Sequence, residues 1–186
     1  NQYVSISEHL HHSALPYVSY DVEGTKFIIA NNWDDLLDGN INMPINLNQF
    51  GDSTGSVRVW TGTMADGSKP LADCNNWQIA RKVKFDFDDI YFGMSGLSSA
   101  TDKKWTENSD VDSCGFRRHV YCVQQPDVGQ RIRVFVTSDR YDPSTFANYK
   151  DKDDNVWTGL AAMDALCNHY AANANLNLLD TIGLKA

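Results

Sequence analysis

The alternation of apolar and polar side chains divides this chain into one long helix and a set of strands. Over 158–174, Leu160, Met163, Cys167, Tyr170, Ala171 and Ala174 recur at spacings of three and four, the period of an amphipathic helix. Thr158 stands at the position of an N-cap, and Cys167 lies within the stripe, which directs its sulfur at the core. A short helix is predicted over 33–38, opened by Asn32 and ended by Gly39. Strands are predicted over 26–30, 57–63, 90–93, 119–125 and 132–138, punctuated by Asp66-Gly67, Gly51-Asp52 and Asp38-Gly39-Asn40. Phe85-Asp86-Phe87-Asp88-Asp89 alternates apolar and acidic residues, as a strand with one wet face does. The segments 98–113 and 139–157 are irregular, and loops this long in a compact domain are functional or pinned.

The runs around His119-Val120-Tyr121-Cys122-Val123 and Val134-Phe135-Val136 are joined by Pro126-Asp127-Val128-Gly129. Proline fixes φ and Gly129 can take positive φ, so this joint can close an antiparallel hairpin. Gln125-Pro126-Asp127 is also a triplet that some lectins use to hold calcium and sugar, but after a strand it reads as a turn.

Bulk properties narrow the setting. At 186 residues the chain is most simply one domain, with no internal repeat and no low-complexity linker. No run of about 18 apolar residues occurs, so no transmembrane segment is expected. The first residue is Asn1, without Met or signal peptide, which suits a processed or excised fragment. A net charge of −8 argues against nucleic acid or heparin as partner, since Arg117-Arg118-His119 is the longest basic cluster. Four cysteines, Cys74, Cys114, Cys122 and Cys167, include no CxxC pair, which favours two disulfides in an exported protein over a zinc site. No Asn-x-Ser/Thr acceptor is present.

VWTGTMADGSKPLADCNNW at 59–77, followed by KKWTENSDVDSCGFRRHVYCVQQ at 103–125, resembles the second half of an endostatin-like C-type-lectin domain, a module also similar to bacterial surface and lipoprotein domains of unassigned function. RVFVTS at 133–138 and GLAAMDALCNHYAANANL at 159–176 resemble that family's opening strand and main helix. The order of the halves is reversed here, so the resemblance implies an α+β, C-type-lectin-like fold that is circularly permuted. Its second half would be 1–125, its hairpin joint 126–130 and its first half 131–186. New ends would fall between Leu184-Lys185-Ala186 and Asn1-Gln2-Tyr3. Permutation is tolerated when the old ends are close and the new ones lie on an exposed loop. The resemblance also implies the pairing: a cysteine of the helix bridged to one of the closing strand, Cys167 to Cys122, leaving Cys74 with Cys114. Each bridge would close a loop of roughly 40 residues, for which chain entropy gives about 4 kcal/mol.

Candidate chemistry is sparse. Asp151, Asp153 and Asn155 have the alternating spacing that brings oxygens to one cation, with Asp164 as a further candidate ligand. Val156 and Ala162 occupy the positions where an EF-hand has Gly and Glu, so a solvated acidic loop is the competing reading. His9, His11 and His12 crowd together and read as surface histidines, with zinc chelation as the alternative. Trp33, Trp60, Trp77 and Trp105 read as core residues and not as sugar platforms. No Ser or Cys has a histidine in a recognisable nucleophile context, so no enzyme is expected. No cofactor is expected beyond calcium at the acidic loop.

These readings point to an extracellular or cell-surface binding domain whose long loops recognise a protein or a glycan. The acidic balance favours a cationic or neutral partner. Two alternatives stand beside it: a structural subunit of a self-assembling extracellular array, completed by a neighbouring chain, and a calcium-dependent lectin.

Overall fold

The computed structural model describes residues 12–79, 91–108, 111–124 and 132–174. In chain order its elements are β1 (Tyr17–Tyr20), β2 (Lys26–Ala30), α1 (Trp33–Leu36), β3 (Arg58–Trp60), β4 (Phe92–Gly93), β5 (Ser95–Leu97), β6 (Asp112–Ser113), β7 (His119–Gln124), β8 (Ile132–Val136), β9 (Tyr149–Lys150), β10 (Val156–Trp157) and α2 (Leu160–Asn173). Short 3₁₀ turns occupy Lys103–Trp105 and Pro143–Ala147. The protein is therefore α+β. The hairpin joint at 126–130, the triplet Gln125-Pro126-Asp127, the acidic alternation at 85–89, His9, His11 and both chain ends lie outside the described residues.

Six strands form one sheet in the order β2-β1-β8-β7-β3-β5. At its centre β7 and β8 run antiparallel, with Cys122 opposite Phe135 and Val123 opposite Val134. Alternation along these two strands divides the interior. Val120, Cys122 and Phe135 enter one core, together with Trp60, Trp77, Phe146 and the α2 residues Ala162, Met163, Leu166 and Tyr170. Ile132 and Val134 enter the other, with Tyr17, Ile29, Trp33, Leu36 and Trp105, and Tyr121 and Val123 pack against it. All five residues of β8 are buried, as in a strand covered on both faces. The tetrapeptide of β1, Tyr-Val-Ser-Tyr, is likewise buried throughout. A strand without a wet face shows no polar alternation, which is why periodicity does not predict it.

The two disulfides are Cys74–Cys114, with Cα atoms 5.7 Å apart, and Cys122–Cys167, with Cα atoms 5.3 Å apart. The second ties α2 to the central strand. The first anchors Cys74–Trp77, where four consecutive residues lie between φ 52° and 59°. This is one turn of left-handed helix, costing about 1–2 kcal/mol per L-residue. Burial of Trp77, the bridge at Cys74, and the Asp73 carboxylate accepting from the Asn76 amide hold it in place.

Several predicted boundaries shift for local reasons. The 57–63 strand is only Arg58–Trp60, because Thr61 and Gly62 both donate to the Met94 carbonyl and Gly62 turns at φ 54°. The first helix ends at Leu36, although Asn32 caps it as predicted by accepting from the Asp35 amide. Thr158 is exposed and does not cap α2; Gly159 takes that position at φ 58°, where an added Cβ would lie 3.1 Å from the Asn76 carbonyl oxygen. The buried face of α2 is centred on Ala162, Met163, Leu166 and Tyr170, and Cys167 sits at its edge, half-buried. Among the described residues no helix is long and apolar enough to cross a membrane.

The tightest backbone approach is at Gly96 in β5, where a Cβ would fall 1.9 Å from the Trp105 carbonyl oxygen. Gly96→Ala must therefore push strand and 3₁₀ turn apart. It is expected to destabilise by about 1–3 kcal/mol or more, measured by denaturant unfolding. A change below a few tenths would contradict the packing described.

Candidate functional site

One concavity gathers polar and aromatic groups from four separate stretches of chain. It is an open hollow of about 420 Å³ between the loop carrying Gln49 and Phe50, the residues following β8, strand β9 and the side of α2 that carries Leu166, His169, Tyr170 and Asn173. That size falls within the usual range of ligand sites.

Each wall has its own anchor. The Asn48 carboxamide accepts from the Phe50 and Asp52 amides, and Gly51 turns at φ 90°, so Phe50 is held outward and 39 % exposed. Gln49 is fully buried and double-bonded to Ser138: its Nε2 donates to Ser138 Oγ at 2.9 Å and its Oε1 accepts from the Ser138 amide at 3.1 Å. Its backbone carbonyl accepts from the guanidinium of Arg133 at 2.7 Å, a buried side chain of β8 lying over the Phe135 ring. Tyr141 is fixed by a reciprocal backbone bridge to Arg118 and by Trp60, whose indole donates to the Tyr141 carbonyl at 3.0 Å.

The floor is a relay of three side chains. The Tyr170 hydroxyl donates to Asp139 Oδ2, and the Tyr141 and Tyr170 hydroxyls are bonded to each other. The carboxylate can only accept, so Tyr170 spends its proton there and Tyr141 is the donor to Tyr170. Burial, then the hydrogen bond to Asp139, push the Tyr170 phenol far above its ordinary range. Burial likewise raises Tyr141. Both rings stay neutral. No described residue donates to Asp139 Oδ1, and none of the described lining residues is Lys or Arg.

Next to this cleft stands the β9–β10 hairpin. Tyr149 pairs with Trp157 across it, so both side chains lie on one face. Trp157 is 39 % exposed and its indole donates to Asp151 Oδ2 at 2.8 Å. Asp151 also accepts from the Asp153 and Asn155 amides and from the Asn155 carboxamide. Together these hold its carboxyl down at about 2, with the Trp157 and Asn155 side chains as the largest favourable contributions. Of the residues singled out for calcium, Asp151 and Asn155 are thus bonded to each other, Asp153 faces the Lys152 ammonium, and Asp164 is exposed on α2. Among the described residues no three His, Cys, Asp or Glu side chains gather as metal ligands. His12 is exposed and stacks on Trp33 with ring centroids 4.6 Å apart. Trp33, Trp60, Trp77 and Trp105 are buried.

Sequence reading did not find the cleft. Its residues are scattered over more than a hundred positions and carry no local motif, and only the assignment of the 139–157 loop as functional or pinned pointed near it. Trp157 carries no sequence signal of its own, because Asp-Lys-Asp-Asp-Asn before it reads as solvated loop, not as the tip of a hairpin. No family model, no curated protein and no solved structure matches the chain.

The Asp151 contacts carry a pH signature. Its carboxyl lies below the unfolded value of about 4, so the hairpin gains stability that is complete above that value and is lost as pH falls toward about 2. The Trp157 indole N–H resonance should therefore lose exchange protection across that window. Asp151→Ala should remove the protection at every pH. A Trp157 signal indifferent to both changes would contradict the arrangement.

Proposed function

We propose that this chain is a circularly permuted, endostatin-like C-type-lectin domain that works outside the cell as a non-catalytic binding module. Its ligand sits in the cleft between Phe50, Tyr141, Tyr149 and Tyr170. The permutation is supported by the antiparallel contact of β7 with β8, where the ancestral last and first strands would be fused, and by the Cys122–Cys167 bridge from strand to helix. Two disulfides suit an oxidising compartment.

The observation that carries the binding reading is the cleft itself: aromatic walls held by buried anchors around a carboxylate with one open oxygen. Aromatic area with a few fixed polar groups is what small binding sites are made of. The non-catalytic reading rests on the groups a reaction would need. All four cysteines are in disulfides. His119 is buried with Nδ1 2.6 Å from the Thr137 carbonyl oxygen, and no hydrogen bond joins the His169 imidazole to a hydroxyl or thiol among the described residues. A calcium-dependent lectin is less well supported, because a cation at the acidic loop would have to displace the donors that occupy both oxygens of Asp151.

A screen of immobilised glycans and extracellular proteins, run with the wild-type chain and with Tyr149→Ala, tests the reading. A specific ligand should lose about tenfold or more in affinity in the variant, as interface aromatics commonly do. It should be retained unchanged in chelator. Equal binding by both chains would place the ligand elsewhere. Elution as an assembly in size-exclusion chromatography, with no ligand found, would favour the structural-subunit alternative.

A further inference from the structure

We infer that the Asp139 cleft takes the cationic head group of a lysine or arginine side chain presented by a protein partner. This rests on reading the cleft as the ligand site and goes further by naming what it selects.

The argument is one of donors and acceptors. Two of the three phenol protons at the cleft are already turned inward: Tyr141 donates to Tyr170 and Tyr170 to Asp139. The Ser138 hydroxyl leans to Asp139 at 3.4 Å, Gln49 Nε2 is bonded to Ser138 Oγ, and Asn173 Nδ2 donates to the His169 carbonyl at 2.8 Å. What is left for a ligand centres on the charged acceptor Asp139 Oδ1 and the lone pairs of Tyr141, beside the Tyr149 hydroxyl and the His169 imidazole. A neutral sugar hydroxyl would bond to Asp139 but leave its charge uncompensated. An ammonium or guanidinium group is donor only, with three and five N–H bonds respectively, and it matches.

Charge and shape agree with this. Asp139 has no described cation paired with it, no described Lys or Arg lines the cleft, and the chain carries a net charge of −8. The rings of Phe50, Tyr141 and Tyr149 supply apolar surface for an aliphatic stem and quadrupoles for a cation within about 6 Å. Tyr141 and Tyr170 are fixed against each other at 74° with centroids 6.4 Å apart, so these two walls need no rearrangement to receive it.

The test is an NMR titration of the full chain with N-acetyl-lysine methylamide and N-acetyl-arginine methylamide, alongside two neutral probes, N-acetyl-norleucine methylamide and methyl glucoside. The cationic probes at millimolar concentration should shift the resonances of Asp139, Tyr141, Tyr149 and Tyr170, and salt should weaken them. Asp139→Asn should weaken the cationic probes about tenfold, the loss of one charge-assisted hydrogen bond. It keeps an oxygen to accept from Tyr170, and an unchanged circular-dichroism spectrum and melting temperature verify its fold. Tyr149→Leu, which keeps apolar bulk and removes the ring, should weaken them as well. Equal or stronger binding of norleucine or glucoside overturns the cationic inference while leaving the cleft as a ligand site. Silence of the cleft resonances with all four probes also overturns it. By contrast, a ligand from the screen that binds Tyr149→Ala undiminished overturns the broader reading of the cleft.

Discussion

Everything in this molecule is organised by one constraint: the antiparallel pair β7–β8 must serve two cores at once. Its alternate side chains face opposite ways, Cys122 and Phe135 toward α2, Val123 and Val134 toward the Trp33–Trp105 side. A single-residue slip in register would exchange the two sets and place every one of them in the wrong core. The Cys122–Cys167 bridge fixes the same register from outside the sheet, because it joins the middle of β7 to the middle of α2.

The cleft is a consequence of that arrangement. Strand β8 ends beside β7, on which α2 packs, and the chain leaves the sheet as Thr137, Ser138 and Asp139. Thr137 is locked there by His119 at its carbonyl and by the Val120 amide at its hydroxyl. Asp139 is thereby brought under Tyr170, and the Arg118–Tyr141 bridge returns the chain to give the relay its third member. Arg133, also from β8, reaches across to hold the Gln49 carbonyl and with it the opposite wall. The walls of the concavity are therefore tied to the core by hydrogen bonds of the buried residues Gln49, His119 and Arg133.

How much of this could be read in the sequence follows from how local each cause is. The β-branched run of β8 and the spaced apolar residues of α2 state their structure within a few residues. The cap at Asn32 is equally local. Gly159 is different: it combines a positive φ with a close approach to Asn76, eighty-odd positions away, and nothing in the neighbouring sequence signals either. Cys74-Asn75-Asn76-Trp77 gives no hint of a left-handed turn beyond its two asparagines, because tertiary burial and a disulfide impose it. Strands β9 and β10 have only two residues each, too few for a period, and the hairpin is held by Asp151 side-chain bonds. The cleft was invisible for the same reason in stronger form, since its chemistry is made by hydrogen bonds between segments and not by any one of them.

Native-state hydrogen exchange tests the central claim most directly. If the β7–β8 pair is the spine shared by both cores, the amides of Val123 and Val134 should exchange only through global unfolding, with the denaturant dependence of the whole domain. Exchange of these amides by local opening, faster than that of the mid-α2 amides of Leu166 and Cys167, would contradict the account.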